Sequence, residues 1–200
     1  MKKLSIILLL TVLLFSMSSG SKAEDGYRLW LRYDRVSDPA LLEKYRNSIN
    51  AWLVDGDSPV FAAATKELQM GLEGLLGETV PGAKSVRKNG TIVAGTALSS
   101  QIIASLNLAD KLTGIGEEGF LILNTRYKGK NVTVIAGNTD RGVLYGVFNY
   151  LRIIQMHASL ENLNITSSPK TKIRILNHWD NLDRSVERGY AGLSLWDWEA

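Results

Sequence analysis

No cysteine occurs anywhere in the chain. That excludes a disulfide framework, a thiolate metal site, a cysteine nucleophile and a lipid anchor on a leading cysteine. Histidine is nearly as scarce. His157 and His178 stand alone, without the H-E-x-x-H spacing that would make either a zinc ligand. No G-x-S-x-G segment is present, so a serine elbow for acyl transfer has no support. The longest apolar run, Leu4 to Phe15, is shorter than the roughly 20 residues a membrane-spanning helix needs.

A real excess of charge is missing too. The formal net charge is +3 and the pI is near 9.1. Residues 1–23, however, hold three lysines (Lys2, Lys3, Lys22) and no acid, and without them 20 basic residues face 20 acidic ones. Nothing remains as a footprint for nucleic acid. What is present at the start reads as an export signal: Lys2 and Lys3, the apolar run, then Ser21-Lys22-Ala23 with small residues at the −3 and −1 positions. The expectation is a cleaved leader over 1–23 and an exported protein, periplasmic or extracellular, with no membrane attachment after cleavage.

Along the mature chain, Tyr27 to Tyr33 alternates apolar and polar and predicts a strand. Asp38-Pro39 opens a short helix with Leu41, Leu42 and Tyr45. Trp52, Leu53 and Val54 form a short buried segment. Ser58-Pro59 predicts a helix start, Gly77 its stop, and Val60, Ala64, Leu68, Leu72 and Leu75 its inner side. Thr91 to Ala97 predicts a strand. Ser99 or Ser100 then caps a helix running through Leu112, with Ile102, Ile103, Leu106 and Leu108 on its apolar side.

Gly114-Ile115-Gly116-Glu117-Glu118-Gly119 matches the dinucleotide fingerprint literally, but it follows a helix and precedes a strand. The fingerprint works only in the reverse order, where a helix N-terminus receives the pyrophosphate. It is read as a helix-to-strand connection, so no cofactor and no metal are expected. Phe120–Tyr127 and Val132–Ala136 predict antiparallel strands around Lys128-Gly129-Lys130-Asn131. Thr139 and Asp140 open the clearest helix, with Val143, Leu144, Val147, Phe148, Leu151 and Ile154 on one stripe. Gly142 and Gly146 would let it sit close on a sheet.

The expected fold is therefore an α/β domain over 24–159 with a mixed sheet and flanking helices. A polar linker follows over 160–172, and a further strand begins at Ile173.

That last stretch, Ile173 to Trp198, carries three of the five tryptophans. Its acids Asp180, Asp183 and Glu187 are either a general acid and base or locally bonded to Arg184 and Arg188. Trp179 offers a flat face for a sugar ring or packs in a core, and Asn177 and Asn181 could bond hydroxyls.

Leu176-Asn-His-Trp-Asp-Asn-Leu-Asp183, Ser185-Val-Glu-Arg-Gly-Tyr-Ala-Gly192 and Ser194-Leu-Trp-Asp-Trp198 resemble the head of the catalytic barrel in glycoside hydrolase family 67, the α-glucuronidases. Tyr27–Tyr33 and Gly137-Asn-Thr-Asp-Arg-Gly-Val-Leu-Tyr-Gly146 resemble that family's leading domain, which is also similar to the N-terminal domain of family 20 hexosaminidases. Arg184 departs from the pattern, where glycine is more usual.

The resemblance implies a signal, the N-terminal α/β domain, and the first strand and loop of a truncated (β/α)8 barrel over 173–200. It implies inverting hydrolysis of α-1,2-linked (4-O-methyl)glucuronic acid from xylo-oligosaccharides, and it leaves room for a homodimer of the full-length enzyme. The catalytic carboxylates would come from later strands, so no catalytic residue is expected in this chain. A barrel takes roughly 250 residues, so the chain alone is expected to be inactive. Trp179, Asn177 and Asn181 are the expected substrate contacts. The alternatives are another two-domain glycosidase of hexosaminidase type and a non-catalytic carbohydrate-binding or interaction module.

Overall fold

A computed structural model describes residues 31–175. Ten elements follow in chain order: α1 (Pro39–Ser48), β1 (Ala51–Asp55), α2 (Pro59–Leu76), β2 (Thr91–Gly95), α3 (Gln101–Ser105), α4 (Ala109–Leu112), β3 (Phe120–Tyr127), β4 (Lys130–Gly137), α5 (Asp140–Gln155) and β5 (Asn164–Ser167). The five strands form one mixed sheet in the order β1-β2-β4-β3-β5. β1, β2 and β4 are parallel, while β3 runs antiparallel to both β4 and β5.

Both faces of the sheet are covered, and alternation along the strands decides which side chain goes where. Ile92, Ala94, Phe120, Ile122 and Ile135 pack with α1, α2 and α5. Val93, Leu121, Val132, Val134 and Ala136 pack with Ile103, Leu108, Leu112 and Ile115 from the α3–α4 side. The result is a three-layer α/β/α unit with the larger core on the α2–α5 side. It bears out the mixed sheet with flanking helices.

The long helices form where local chemistry dictates. Ser58 Oγ accepts from the Phe61 amide and Pro59 occupies the first turn of α2; Gly77 ends it at φ +65°, with its amide bonded to Glu73 O. Thr139 caps α5 through the Gly142 amide. Val143, Val147, Leu151 and Ile154 are buried as the stripe predicts, but Phe148 is only half-buried and Tyr150 is buried in full. In α2 the core place goes to Phe61 rather than Val60. The two-residue turn Lys128-Gly129, with φ of +45° and +78°, joins β3 to β4.

Three expectations need correction, and a fourth is sharpened. Tyr27–Trp30 lie outside the described residues, and residues 31–33 belong to no strand. Tyr33 takes φ +52°, which ends any extended run. Its buried ring packs against α2, its hydroxyl donates to Glu67 Oε1, and the Val36 amide reaches Leu75 O at 3.0 Å. Among the described residues, 31–36 therefore lie along α2 rather than in the sheet.

The short buried segment at Trp52 is borne out and is a sheet strand, β1. Its outer side bridges Gly82, and the Trp52 indole donates to Val80 O.

The helix expected through Leu112 is broken in two. Asn107 adopts φ +52°, and the turn swings Leu108 and Leu112 onto the sheet.

The stretch expected as an irregular linker over 160–172 contains β5. Leu160 and Leu163 are buried, and Asn124 bonds Leu163 through both its backbone and its side chain. Among the described residues no helix is long and apolar enough to cross a membrane.

Candidate functional site

In a sheet of this kind ligands gather at the carboxyl ends of the parallel strands, where helix N-termini point. Here those ends are already occupied by the chain's own acids. The Asp55 carboxylate at the end of β1 accepts from Ser100 Oγ at 2.5 Å, and Ser100 also caps α3. Asp140 accepts from Ser58 Oγ at 2.5 Å and from the Arg141 amide at 2.8 Å, which places a carboxylate across the starts of α2 and α5. A bound phosphate would meet negative charge at both places.

The glycine-rich loop confirms its structural reading, since it joins α4 to β3. Asn138 Nδ2 donates to Leu112 O and Gly116 O, both at 3.0 Å, and Thr139 Oγ1 donates to Glu117 O at 2.5 Å. The loop is thus tied down against the first turn of α5. Beside it lies a charged ladder. Arg141 pairs with Glu117 at 2.7 Å and with Glu118 at 3.6 Å, and Arg174 pairs with Glu118 at 2.6 Å while lying 5.8 Å from the centre of the Tyr145 ring. Ser168 Oγ donates to Ile115 O at 2.8 Å. The ladder fastens residues 168–174 to the carboxyl end of the domain, and its half-exposed pairs contribute orientation more than stability.

At the opposite end of the sheet is a cleft of about 550 Å³. Asn47 from the end of α1, Asn89 before β2, Asn124 and Arg126 from β3, and Asn131 from β4 line it. Its floor is Thr133 and Tyr150, 8% and 1% exposed. Burial pushes the Tyr150 phenol well above its ordinary value, with the neighbouring Tyr45 adding to the rise and the Thr133 hydroxyl opposing it. Burial likewise raises Tyr45, whose hydroxyl donates to Ala158 O at 2.7 Å.

A phenol held neutral in the fold but free to ionise when unfolded stabilises only below the unfolded value near 10.0. Stability is therefore expected to fall above pH 10, by up to about 1.4 kcal/mol per pH unit for the fully buried Tyr150. Denaturant melts of Tyr150→Phe at pH 8 and pH 11 check this. The variant should lose less stability between the two than the parent does.

The expected substrate contacts Trp179, Asn177 and Asn181 lie outside the described residues, as do His178 and the three acids Asp180, Asp183 and Glu187. His157 sits after α5 with φ +57°. Among the described residues no group of acids and histidines is arranged to hold a metal ion. The cleft is absent from the motif reading because its asparagines are scattered in sequence. Strand register brings them together.

Residues 29–150 match the family model described as "Glycosyl hydrolase family 67 N-terminus", and residues 153–200 match that described as "Glycosyl hydrolase family 67 middle domain". The chain belongs to glycosyl hydrolase family 67. Curated relatives match most of the chain. "Probable alpha-glucuronidase A" of Aspergillus oryzae is 33% identical over 93% of this chain and 21% of its own length. The protein of the same name from Aspergillus niger is 29% identical over 98% of this chain and 22% of its own length. The chain therefore spans about a fifth of the length of these relatives. Among solved structures, a family GH115 4-O-methyl-alpha-glucuronidase with specificity for decorated arabinogalactans aligns over 53% of this chain and 13% of its own. Its TM-score is 0.44 and its identity 22%, a loose likeness.

Proposed function

We propose that this chain is the leading part of an exported α-glucuronidase. The whole enzyme removes α-1,2-linked glucuronic acid, or its 4-O-methyl ether, from xylo-oligosaccharides. The observation that carries the reading is the match to two consecutive family 67 models along residues 29–150 and 153–200. The names of the Aspergillus relatives support the activity, and the terminal tryptophan-rich motif supports a carbohydrate substrate.

In the proposed reaction a carboxylic acid protonates the glycosidic oxygen as its bond to the anomeric carbon breaks. A carboxylate on the opposite face takes a proton from water as the water oxygen attacks that carbon. A gap of roughly 6.5–9.5 Å between the two leaves room for the water and inverts the configuration. Trp179 lies against the uronic-acid ring, and Asn177 and Asn181 bond its hydroxyls, on the loop after the first strand of a (β/α)8 barrel.

Several acids of the described α/β domain are already engaged: Asp55 and Asp140 with serines, Glu117 and Glu118 with arginines. In this reading the acid and base belong to a longer polypeptide and the 200-residue chain alone is inactive; the chain spans 21% of the length of its Aspergillus oryzae relative.

The test compares two proteins on aldouronic acids. The isolated chain should release no glucuronic acid above a buffer blank, and the polypeptide carrying the complete barrel should release it. In the latter, Trp179→Ala should raise KM on the order of tenfold. Release by the 200-residue chain would contradict its assignment as non-catalytic. An unchanged KM in the variant would remove Trp179 from the pocket.

A further inference from the structure

The cleft at the amino ends of β2 and β4 has a hydrogen-bond account that does not close. Thr133 Oγ1 has one proton to give and two positions to accept. Asn124 Nδ2 donates to it at 3.0 Å, and the Tyr150 hydroxyl lies close enough for Thr133 to oppose the rise in its pKa. If Tyr150 donates to Thr133, the threonine proton is left over; if Thr133 donates to Tyr150, the phenol proton is. At least one of these two hydroxyl protons, on a floor more than nine-tenths buried, therefore has no acceptor among the described residues. A buried donor left unmade is costly, on the order of 1–3 kcal/mol, and an oxygen from outside the chain removes that penalty.

Around this floor the walls offer amides. The Oδ1 of Asn89 is used by the Asn131 amide at 3.0 Å, which leaves the Asn89 Nδ2 group directed to solvent or ligand. The side chains of Asn131 and Asn162 bond nothing else among the described residues. Charge is sparse: Arg126 and Glu161 are the cleft's one base and one acid, and Arg126 already donates to Gly129 O. Donors and acceptors that alternate, with little net charge, match a polyol. They do not match a phosphate, which would want several cations.

We propose that this cleft is a saccharide-binding subsite that takes a neutral segment of about one or two sugar rings, the cleft volume being of a size that encloses a small ligand. It is separate from the proposed barrel chemistry. β3 and β4 place Tyr127 and Lys130 at the cleft end of the sheet and Phe120 and Gly137 at the other, where the ladder fastens residues 168–174. A sugar bound here would sit at the far end of the domain from the chain's exit. The site therefore serves to hold a glycan, not to cleave it.

The test is a titration of the isotopically labelled chain with xylotetraose and with cellotetraose, followed by amide resonances. The expected result is saturable shifts at Thr125, Asn131 and Glu161 with at least one of the two. Tyr150→Phe and Thr133→Val each remove a floor hydroxyl at nearly constant shape, and each should weaken binding about fivefold. Asn131→Ala changes an exposed side chain, so it keeps the test open if a floor variant fails to fold, and it should weaken binding similarly. Three results would overturn the proposal: no shifts with either sugar, shifts confined to residues away from the cleft, or parental affinity in Asn131→Ala. Hydrolysis of aldouronic acids is read separately, so failure here leaves the proposed activity standing, and the reverse.

Discussion

Gly142→Ala is expected to destabilise the domain by about 3 kcal/mol and to lower its melting temperature by roughly 6–12 °C. The direction is opposite to what helix propensity alone gives, since alanine inside a helix gains up to about 1 kcal/mol over glycine. Packing outweighs propensity at this position. A Cβ on Gly142 would lie 2.3 Å from Gly119 O and 3.2 Å from Glu117 O. Both are backbone atoms, so no rotamer change relieves the contact.

The loop over 114–119 would have to retreat from α5. That would loosen the bonds from Thr139 to Glu117 O and from Asn138 to Gly116 O. Gly114→Ala in the same loop is the comparison. Nothing lies within 4 Å of its missing Cβ, and only the φ of +81° opposes a side chain, so about 1 kcal/mol is expected. Thermal melts of the two variants should differ clearly. Equal melting temperatures would mean that close approach is not the reason for glycine at 142.

The contact between α2 and α5 carries the second large effect. Leu151 is fully buried, and a Cβ on Gly71 would meet its Cδ1 at 2.5 Å. The leucine thus fills the notch that the glycine leaves. Leu151→Ala should cost about 2–5 kcal/mol, as a lost transfer term plus the cavity left between two helices. Gly71→Ala alone should cost about 1–3 kcal/mol by overpacking. The double variant should be more stable than the sum predicts by roughly 1–2 kcal/mol, because the new methyl enters the space the leucine vacates. Denaturant unfolding of all four proteins measures the coupling. Strict additivity would show that the two side chains do not share one space.

Much of this fold was legible wherever boundaries rest on local chemistry. Ser58-Pro59 and Gly77 fix α2, Thr139 fixes the start of α5, and the Lys128-Gly129 turn fixes the β3–β4 hairpin. The misses share a cause. Tyr33 and Asn107 take left-handed conformations that apolar periodicity does not register. β5 reads as polar and irregular because it is a short edge strand with three exposed residues, identifiable only from its pairing with β3.

The cleft was illegible for a related reason. Asn89 and Asn131 meet because Thr91 is in register with Val132, a fact of tertiary pairing with no signature in either segment. The reversed glycine fingerprint was the opposite case, since the order of its neighbouring elements sufficed to set aside the dinucleotide reading.

The family assignment makes one measurement the most direct test of the proposed activity. A polypeptide extended to the length of the curated relatives is mixed with an aldouronic acid, and the anomeric protons of the product are followed by NMR from the first minutes. The account predicts release of glucuronic acid that appears first as the β-anomer and then mutarotates, because water enters opposite the departing xylose oxygen. Release of the α-anomer first would contradict inversion. No release from any α-linked glucuronoside would contradict the proposed activity itself.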